Sequence, residues 1–468
     1  MLLCECFTKK PMIVSFSVSN FRSFFSEETF SLVASSRLNG THDNHAISIP
    51  DSDQKVLRFG VLYGANGAGK SNLFKALDYL RSLAIRPREK GKGTGREAFR
   101  LGGSLEGASS FDLQFIASKK LYRFGVKVDD QRIIEEWLVH VKGDREQIIY
   151  ERTTDDEGNV KIDGPGLPKA DEKLKALTVV GGPKNQTFLA TAIANLKTSD
   201  YGEHISAVFR WFGPQLNLIA PDAHFGPLGD YYLENPKSSD FASQFLRSVS
   251  TGVEKLIVTK NEISEEELRR LLPESIYKQL MESLPEDQDE MAIIQRNGSS
   301  FELQVEKTGD KQKHFYRVSI GMDHQSAKGE PITFDLTDES DGTQRLLDLI
   351  PALCGLETAN QCFFIDEIDR SLHPILVREF ISFFLRTNCD AHVQMIVTTH
   401  ESSLLDLDLL RRDEIWFAEK DNNSATRLYA LTDFKVRKDL EIRKHYLSGR
   451  FGAIPFLGNL DRLIEEKC

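Results

Sequence analysis

The segment Gly64-Ala65-Asn66-Gly67-Ala68-Gly69-Lys70-Ser71 fills every fixed position of the pattern Gly-x-x-x-x-Gly-Lys-Ser. No other stretch constrains the fold as strongly, because the pattern works only where a strand ends, a tight loop turns and a helix begins. The flanks meet that demand. Val56–Tyr63 is rich in β-formers, and from Lys70 onward Leu73, Leu77, Leu80 and Leu83 recur at helical spacing. Glycines at Gly64, Gly67 and Gly69 allow the backbone to aim successive N–H groups at phosphate oxygens, with Asn66 on the same loop and Asn72 just after it. The helix start adds its partial positive charge. Lys70 is expected to reach the β- and γ-phosphates of ATP, and Ser71 to ligate Mg²⁺. The alternative is a glycine-rich turn without a ligand; the strand, the helix and the partners described next weigh against it.

Three further segments carry chemistry. In Cys362-Phe363-Phe364-Ile365-Asp366-Glu367 an apolar strand delivers two carboxylates at its C-terminal end, where ligands bind in open α/β sheets. Asp366 is expected to hold Mg²⁺, and Glu367 to act as general base on the attacking water. Alone, the pair could equally cap the next helix. In Ile396-Val397-Thr398-Thr399-His400 a buried strand again ends on a polar residue, and His400 is placed to hydrogen-bond a γ-phosphate. Glu339-Ser340-Asp341-Gly342-Thr343-Gln344-Arg345 opens an amphipathic stretch; by itself it reads as an N-cap, though a helix start also binds anions.

The rest of the chain frames these segments. Its 468 residues suit two to three domains, or one large domain with an insertion. A net charge of −11 excludes a general polyanion binder, so any nucleic-acid contact would need a local basic patch. The glycine-rich stretch 86–97 carries several Arg and Lys, but it reads as a mobile solvated loop and supports nucleic acid weakly. Cys4, Cys6, Cys354, Cys362, Cys389 and Cys468 are scattered, as reduced thiols of a cytoplasmic protein would be. No signal peptide and no apolar run of membrane-spanning length is found, so no membrane partner is expected. Alternating strands are predicted over 111–153, loop over 154–186, helical spacing over 187–284 and strands again over 292–335. Helices over 340–356, 372–387 and 402–411 then alternate with short buried strands.

The four motifs, in this order, resemble those of the ABC/SMC class of ATPases. The resemblance implies an α/β fold: an ABC-type P-loop ATPase head with an antiparallel β subdomain and a mainly helical insertion. The expected parts are 12–170, with the P-loop and β subdomain; 171–300, the insertion; and 301–468, with the signature, the acidic pair and the switch histidine. It makes Ser340-Asp341-Gly342-Thr343-Gln344 the signature motif, overriding the N-cap reading, with Ser340, Gly342 and Gln344 binding nucleotide. It makes Asp369 the D-loop acid. It implies self-association, dimer or higher, with ATP sandwiched between heads. Arg22 sits where SMC-type heads place a basic residue near the nucleotide.

A narrower resemblance rests on Asn20-Phe21-Arg22-Ser23-Phe24, Asp366-Glu367-Ile368-Asp369 with His373-Pro374, Thr398-Thr399-His400-Glu401, and Tyr446-Leu447-Ser448-Gly449-Arg450-Phe451-Gly452-Ala453-Ile454-Pro455. These are similar to the AbiL/RloA-like AAA family ATP-binding proteins of bacterial phage-defence loci, a group that includes the ATPase subunit of the PARIS system. The resemblance implies a phage-protein trigger and a separate effector such as a Toprim-type nuclease. The alternatives are an SMC-type DNA-repair ATPase, for which 187–290 is too short and interrupted to form a long arm, and a transporter's nucleotide-binding subunit.

Overall fold

Five consecutive buried residues, Phe59–Tyr63, form the strand in front of the P-loop. The structure, a computed structural model, describes residues 11–89, 91–102, 107–167, 172–223, 225–283, 290–296, 299–307, 313–354, 361–387, 393–435 and 441–455. Cys4, Cys6, Lys90, Cys389 and Cys468 lie outside them. The chain folds as two units. The first holds Met1–Pro221, Glu357–Asp369 and Val377–Cys468; the second holds Asp222–Leu356 and Arg370–Leu376.

In the first unit the P-loop strand lies inside a six-stranded sheet. The order is Leu216–Ile219, Gln361–Ile365, Val393–Thr399, Phe59–Tyr63, Ile415–Lys420, Thr426–Ala430. The first five run parallel and the last is antiparallel to its neighbour. All seven residues of Val393–Thr399 are buried, as expected of a central parallel strand covered on both faces. A second, wholly antiparallel sheet has the order Val160–Asp163, Arg145–Thr154, Ile133–Lys142, Lys120–Val128, Ser109–Ala117, Met12–Ser19, Glu28–Ser31. The α/β class and the antiparallel β subdomain are those the sequence predicts.

The P-loop helix, Lys70–Ile85, joins the two sheets into one core. It buries Leu73, Ala76, Leu77, Leu80 and Leu83 in a cluster shared with Phe16, Val18, Phe111 and Leu113 of the antiparallel sheet and Leu62, Phe364 and Ile396 of the parallel one. Gln394, fully buried, adds a polar bond between the sheets. Its Nε2 donates to the carbonyls of Ile13 (2.9 Å) and Leu57 (2.8 Å), and its Oε1 accepts from Ile13 N–H (2.7 Å). A buried amide is tolerated there because both ends are satisfied.

The second unit carries helices Leu228–Glu234 and Pro236–Ser248 and an antiparallel sheet ordered Val253–Ile263, Lys313–Gln325, Ser299–Lys307, Glu290–Arg296, with Pro331–Asp335 also paired to Lys313–Gln325. Among the described residues of 171–300 helix predominates, but Val253–Ile263 is a strand within the stretch predicted as helical. Its Val, Ile and Thr content suits a pleated surface better than a helix.

Other local differences have similar causes. Residues 402–411 form only a 3₁₀ turn, Ser402–Leu404, followed by turns in which the Asp406 carboxylate accepts the Asp408 N–H (2.9 Å). Val160–Asp163 and Glu172–Val180 are a strand and a helix where loop was predicted. The described part of 86–97 is anchored rather than free: Thr94 is buried, its carbonyl accepts from Tyr79 Oη (3.1 Å), and Asn185 Nδ2 donates to the Glu89 and Lys92 carbonyls (3.0 and 2.7 Å). No helix among the described residues is long and apolar enough to cross a membrane.

Candidate functional site

Three neighbouring parallel strands end side by side, and each delivers one motif at its C-terminal end. Phe59–Tyr63 leads into Gly64, Gln361–Ile365 into Asp366, and Val393–Thr399 into His400. Parallel register brings Tyr63 opposite Thr399 and Ile365 opposite Val397, so residues more than 300 apart in sequence converge on one edge of the sheet.

The P-loop backbone is one that glycine alone adopts easily. Gly67 has φ +78° and Gly69 has φ +111°, both in the left-handed region. Lys70 is 5% exposed. Its Nζ donates to the carbonyls of Gly64 (2.9 Å) and Ala65 (3.4 Å) and lies 2.9 Å from His400 Nε2. Loss of hydration pulls the ammonium down to a pKa of about 8, although the carboxylates of Asp366, Glu367 and Asp369 push the other way. The His400 imidazole is also held below its ordinary value, by loss of hydration first and by Lys70 second, which favours a neutral ring beside the ammonium.

The acidic pair is organised by a residue whose role the sequence does not reveal. Thr398 Oγ1 donates to Asp366 Oδ1 (2.5 Å) and accepts the Glu367 N–H (2.8 Å). One hydroxyl thus fixes a carboxylate and the backbone of its neighbour. Glu367 has φ +50°, a conformation costly for a residue with a Cβ, and the Thr398 bond helps hold it there. Asp366 is 2% exposed, whereas Glu367 is only partly buried. The His400 N–H donates to Asp369 Oδ2 (3.3 Å). The available signal was a hydroxyl-bearing β-branched residue at a buried strand end beside a strand ending in two acids.

Other expected residues are placed as follows. Ser71 and Asn72 lie in the first turn of the P-loop helix, and Asn66 is exposed on the loop. Asn72 Nδ2 donates to Ser23 Oγ (2.8 Å). The Arg22 guanidinium pairs with the Glu97 carboxylate, and the Arg22 backbone N–H donates to the Glu97 carbonyl (2.7 Å). Ser340, Gly342 and Gln344 belong to the second unit. Ser340 caps the helix Asp341–Leu349 by accepting Thr343 N–H (3.2 Å), Gln344 Nε2 donates to the Glu339 carbonyl (2.9 Å), and a Cβ on Gly342 would lie 2.9 Å from the Ser371 carbonyl. The C-terminal motif packs against the P-loop strand and its neighbour: the Tyr446 ring lies 5.7 Å from that of Tyr63, Phe451 stacks on Phe417, and Tyr429 Oη donates to the Phe451 carbonyl (2.9 Å).

The P-loop fits a polyphosphate. It presents a left-handed glycine backbone and a buried ammonium whose depressed pKa reflects too little compensating negative charge. A bound anion would supply that charge and restore the proton. Above pH 8 the free lysine is increasingly neutral, so binding must take up a proton. Nucleotide affinity is therefore expected to weaken above pH 8, by up to about tenfold per pH unit. Titration calorimetry between pH 7 and 9.5, in two buffers of different ionisation enthalpy, measures both effects. Constant affinity with no proton uptake would contradict the assignment.

Among solved structures, the SMC head domain from Thermotoga maritima is similar at 11% identity and a TM-score of 0.35, covering 89% of this chain and 98% of that one. An SmcHead bound to the C-winged helix domain of ScpA is similar at 12% identity and a TM-score of 0.34, covering 89% and 97%. No curated protein matches the chain. Residues 59–167 and 189–406 match the family described as "AAA domain, putative AbiEii toxin, Type IV TA system". These segments span the P-loop, the acidic pair and His400 and make up more than half of the sequence, so the chain belongs to that AAA-domain family.

Proposed function

We propose that this chain binds and hydrolyses ATP as the sensor and scaffold subunit of an anti-phage defence system of the abortive-infection type. In this reading ATP-dependent assembly controls a separate toxin or nuclease. The observation that carries the enzymatic part is the convergence of Lys70, His400 and the Thr398-bridged Asp366-Glu367 pair at adjacent strand ends. The family description, which names a toxin of a toxin–antitoxin system, supports the defence part, as does the motif resemblance.

Gly64, Asn66, Gly67, Gly69 and Lys70 hold the phosphates; Ser71 and Asp366 are the side chains that would hold Mg²⁺. Mg²⁺-ATP, when bound, supplies the transferable γ-phosphoryl group and the metal's charge compensation. Lys70 places positive charge at the phosphates, Glu367 accepts a proton from the attacking water, and Thr398 fixes the Asp366 carboxylate while holding the Glu367 backbone. His400, neutral and beside Lys70, would donate a ring N–H to the terminal phosphate.

Ser340, Gly342 and Gln344 complete the site of a second copy. Lys70→Ala and Ser340→Arg chains should each be inactive alone. Their equimolar mixture should recover about a quarter of the wild-type ATPase rate if two-fold dimers exchange freely. No recovery would place all the chemistry within one chain. The effector part is tested by phage challenge: protection by this chain without any partner gene would sink it.

A further inference from the structure

Thr426 opens the antiparallel edge strand Thr426–Ala430 and is 0% exposed. Its N–H donates to the Ser23 carbonyl (2.7 Å). Its Oγ1 lies 2.8 Å from the Ala68 carbonyl, inside the P-loop, and 2.8 Å from Ser23 Oγ. Ser23 Oγ in turn accepts from Asn72 Nδ2 at 2.8 Å. Proton counting orders these bonds. The Ala68 carbonyl can only accept, so Thr426 donates its single hydroxyl hydrogen there. Ser23 Oγ, also 2.8 Å from the Thr426 hydroxyl, is the other acceptor facing that hydrogen, and Asn72 donates to Ser23. The chain of bonds leaves the P-loop helix at Asn72 and returns to the P-loop at Ala68.

The same two side chains fill the space beside Gly69. A Cβ on Gly69 would lie 2.1 Å from Thr426 Oγ1, 2.8 Å from Thr426 Cγ2 and 2.9 Å from Ser23 Oγ. Hydrogen bonds on either side of Gly69 and packing against it therefore fix the φ +111° turn.

We propose that Thr426 and Ser23 are positioning residues that hold the Ala68–Asn72 turn in its ligand-ready conformation before any nucleotide arrives. This rests on the ATP-binding reading of the P-loop and extends it to two residues that bind no phosphate themselves. Pre-setting the turn removes an ordering cost that binding would otherwise bear. Thr426→Val keeps the shape but loses the hydroxyl, leaving the Ala68 carbonyl without its donor.

The test compares wild type, Thr426→Val and Thr426→Ser in the full chain. In the nucleotide-free protein, hydrogen exchange at the amides of 68–73 should accelerate roughly tenfold or more in Thr426→Val and return close to wild type in Thr426→Ser, with the urea midpoint of the whole chain little changed. Binding of Mg²⁺-ATP should weaken about 10- to 100-fold in Thr426→Val, recover in Thr426→Ser, and raise KM more than it lowers kcat. Unchanged exchange at 68–73 overturns the proposal, as does a Thr426→Ser chain that behaves like Thr426→Val. Wild type that binds no ATP overturns the nucleotide reading instead, while the exchange comparison still decides whether Thr426 holds the turn.

Discussion

Glu367→Gln retains ATP affinity while turnover falls roughly 100- to 10,000-fold, the range expected when a positioned general base is removed. The expectation follows from how the structure separates two tasks. In the proposed reading binding falls to the loop Gly64–Ser71, with its glycine backbone and the buried ammonium of Lys70. Proton transfer in that reading falls to Glu367, which lies on a different strand end and is only partly buried. The amide is isosteric with the carboxylate, and the backbone N–H that anchors the residue to Thr398 is untouched, so the φ +50° conformation persists. Lys70→Ala should do the reverse and lose binding first. Equilibrium binding of a fluorescent ATP analogue beside single-turnover hydrolysis separates the two. Equal loss of affinity in both variants would mean that Glu367 supports the phosphate site and is not the base.

Thr398 adds a graded check within the same prediction. Thr398→Val removes the hydroxyl that fixes both Asp366 and the Glu367 backbone, so it should lower turnover without matching the loss in Glu367→Gln.

What the sequence could reveal depended on distance along the chain. The P-loop is contiguous, and each residue type in it answers to a local physical demand, so Gly64–Ser71 could be read directly. The gathering of Asp366, Glu367 and His400 at one sheet edge is legible for a related reason: they follow short apolar strands that end side by side in a parallel sheet. Thr398 belongs to its motif, but nothing local says that its hydroxyl faces an acid on the neighbouring strand. Ser23 and Thr426 stand 403 residues apart and meet only because the antiparallel sheet and the hairpin strand approach the P-loop helix together. The 86–97 stretch reads as free because Gly and Arg content speaks for solvent, whereas Tyr79 and Asn185 tie it down through backbone carbonyls that composition does not register.

Gly69→Ala should lose nucleotide binding altogether and destabilise the protein by about 3 kcal/mol or more, through two separable costs. The first is conformational. At φ +111° any residue with a Cβ is strained, typically by about 1–3 kcal/mol. The second is steric, since the new methyl would sit 2.1 Å from Thr426 Oγ1 and something must move. Gly67 provides the contrast: φ is +78°, but a Cβ there meets nothing within 4 Å. Gly67→Ala should therefore cost about 1 kcal/mol, from conformation alone. Adding Thr426→Ala to Gly69→Ala removes the two closest contacts and leaves the strain and the 2.9 Å approach to Ser23 Oγ, so the double variant should be more stable than the Gly69→Ala single. Chemical denaturation of these variants and wild type, completed by the Thr426→Ala single, gives the coupling between positions 69 and 426 as a double-mutant cycle. A strong favourable coupling identifies Thr426 as the wall against which the P-loop turn is built. Strict additivity would mean that the turn is held by its own backbone, and that Gly69 is glycine for φ alone.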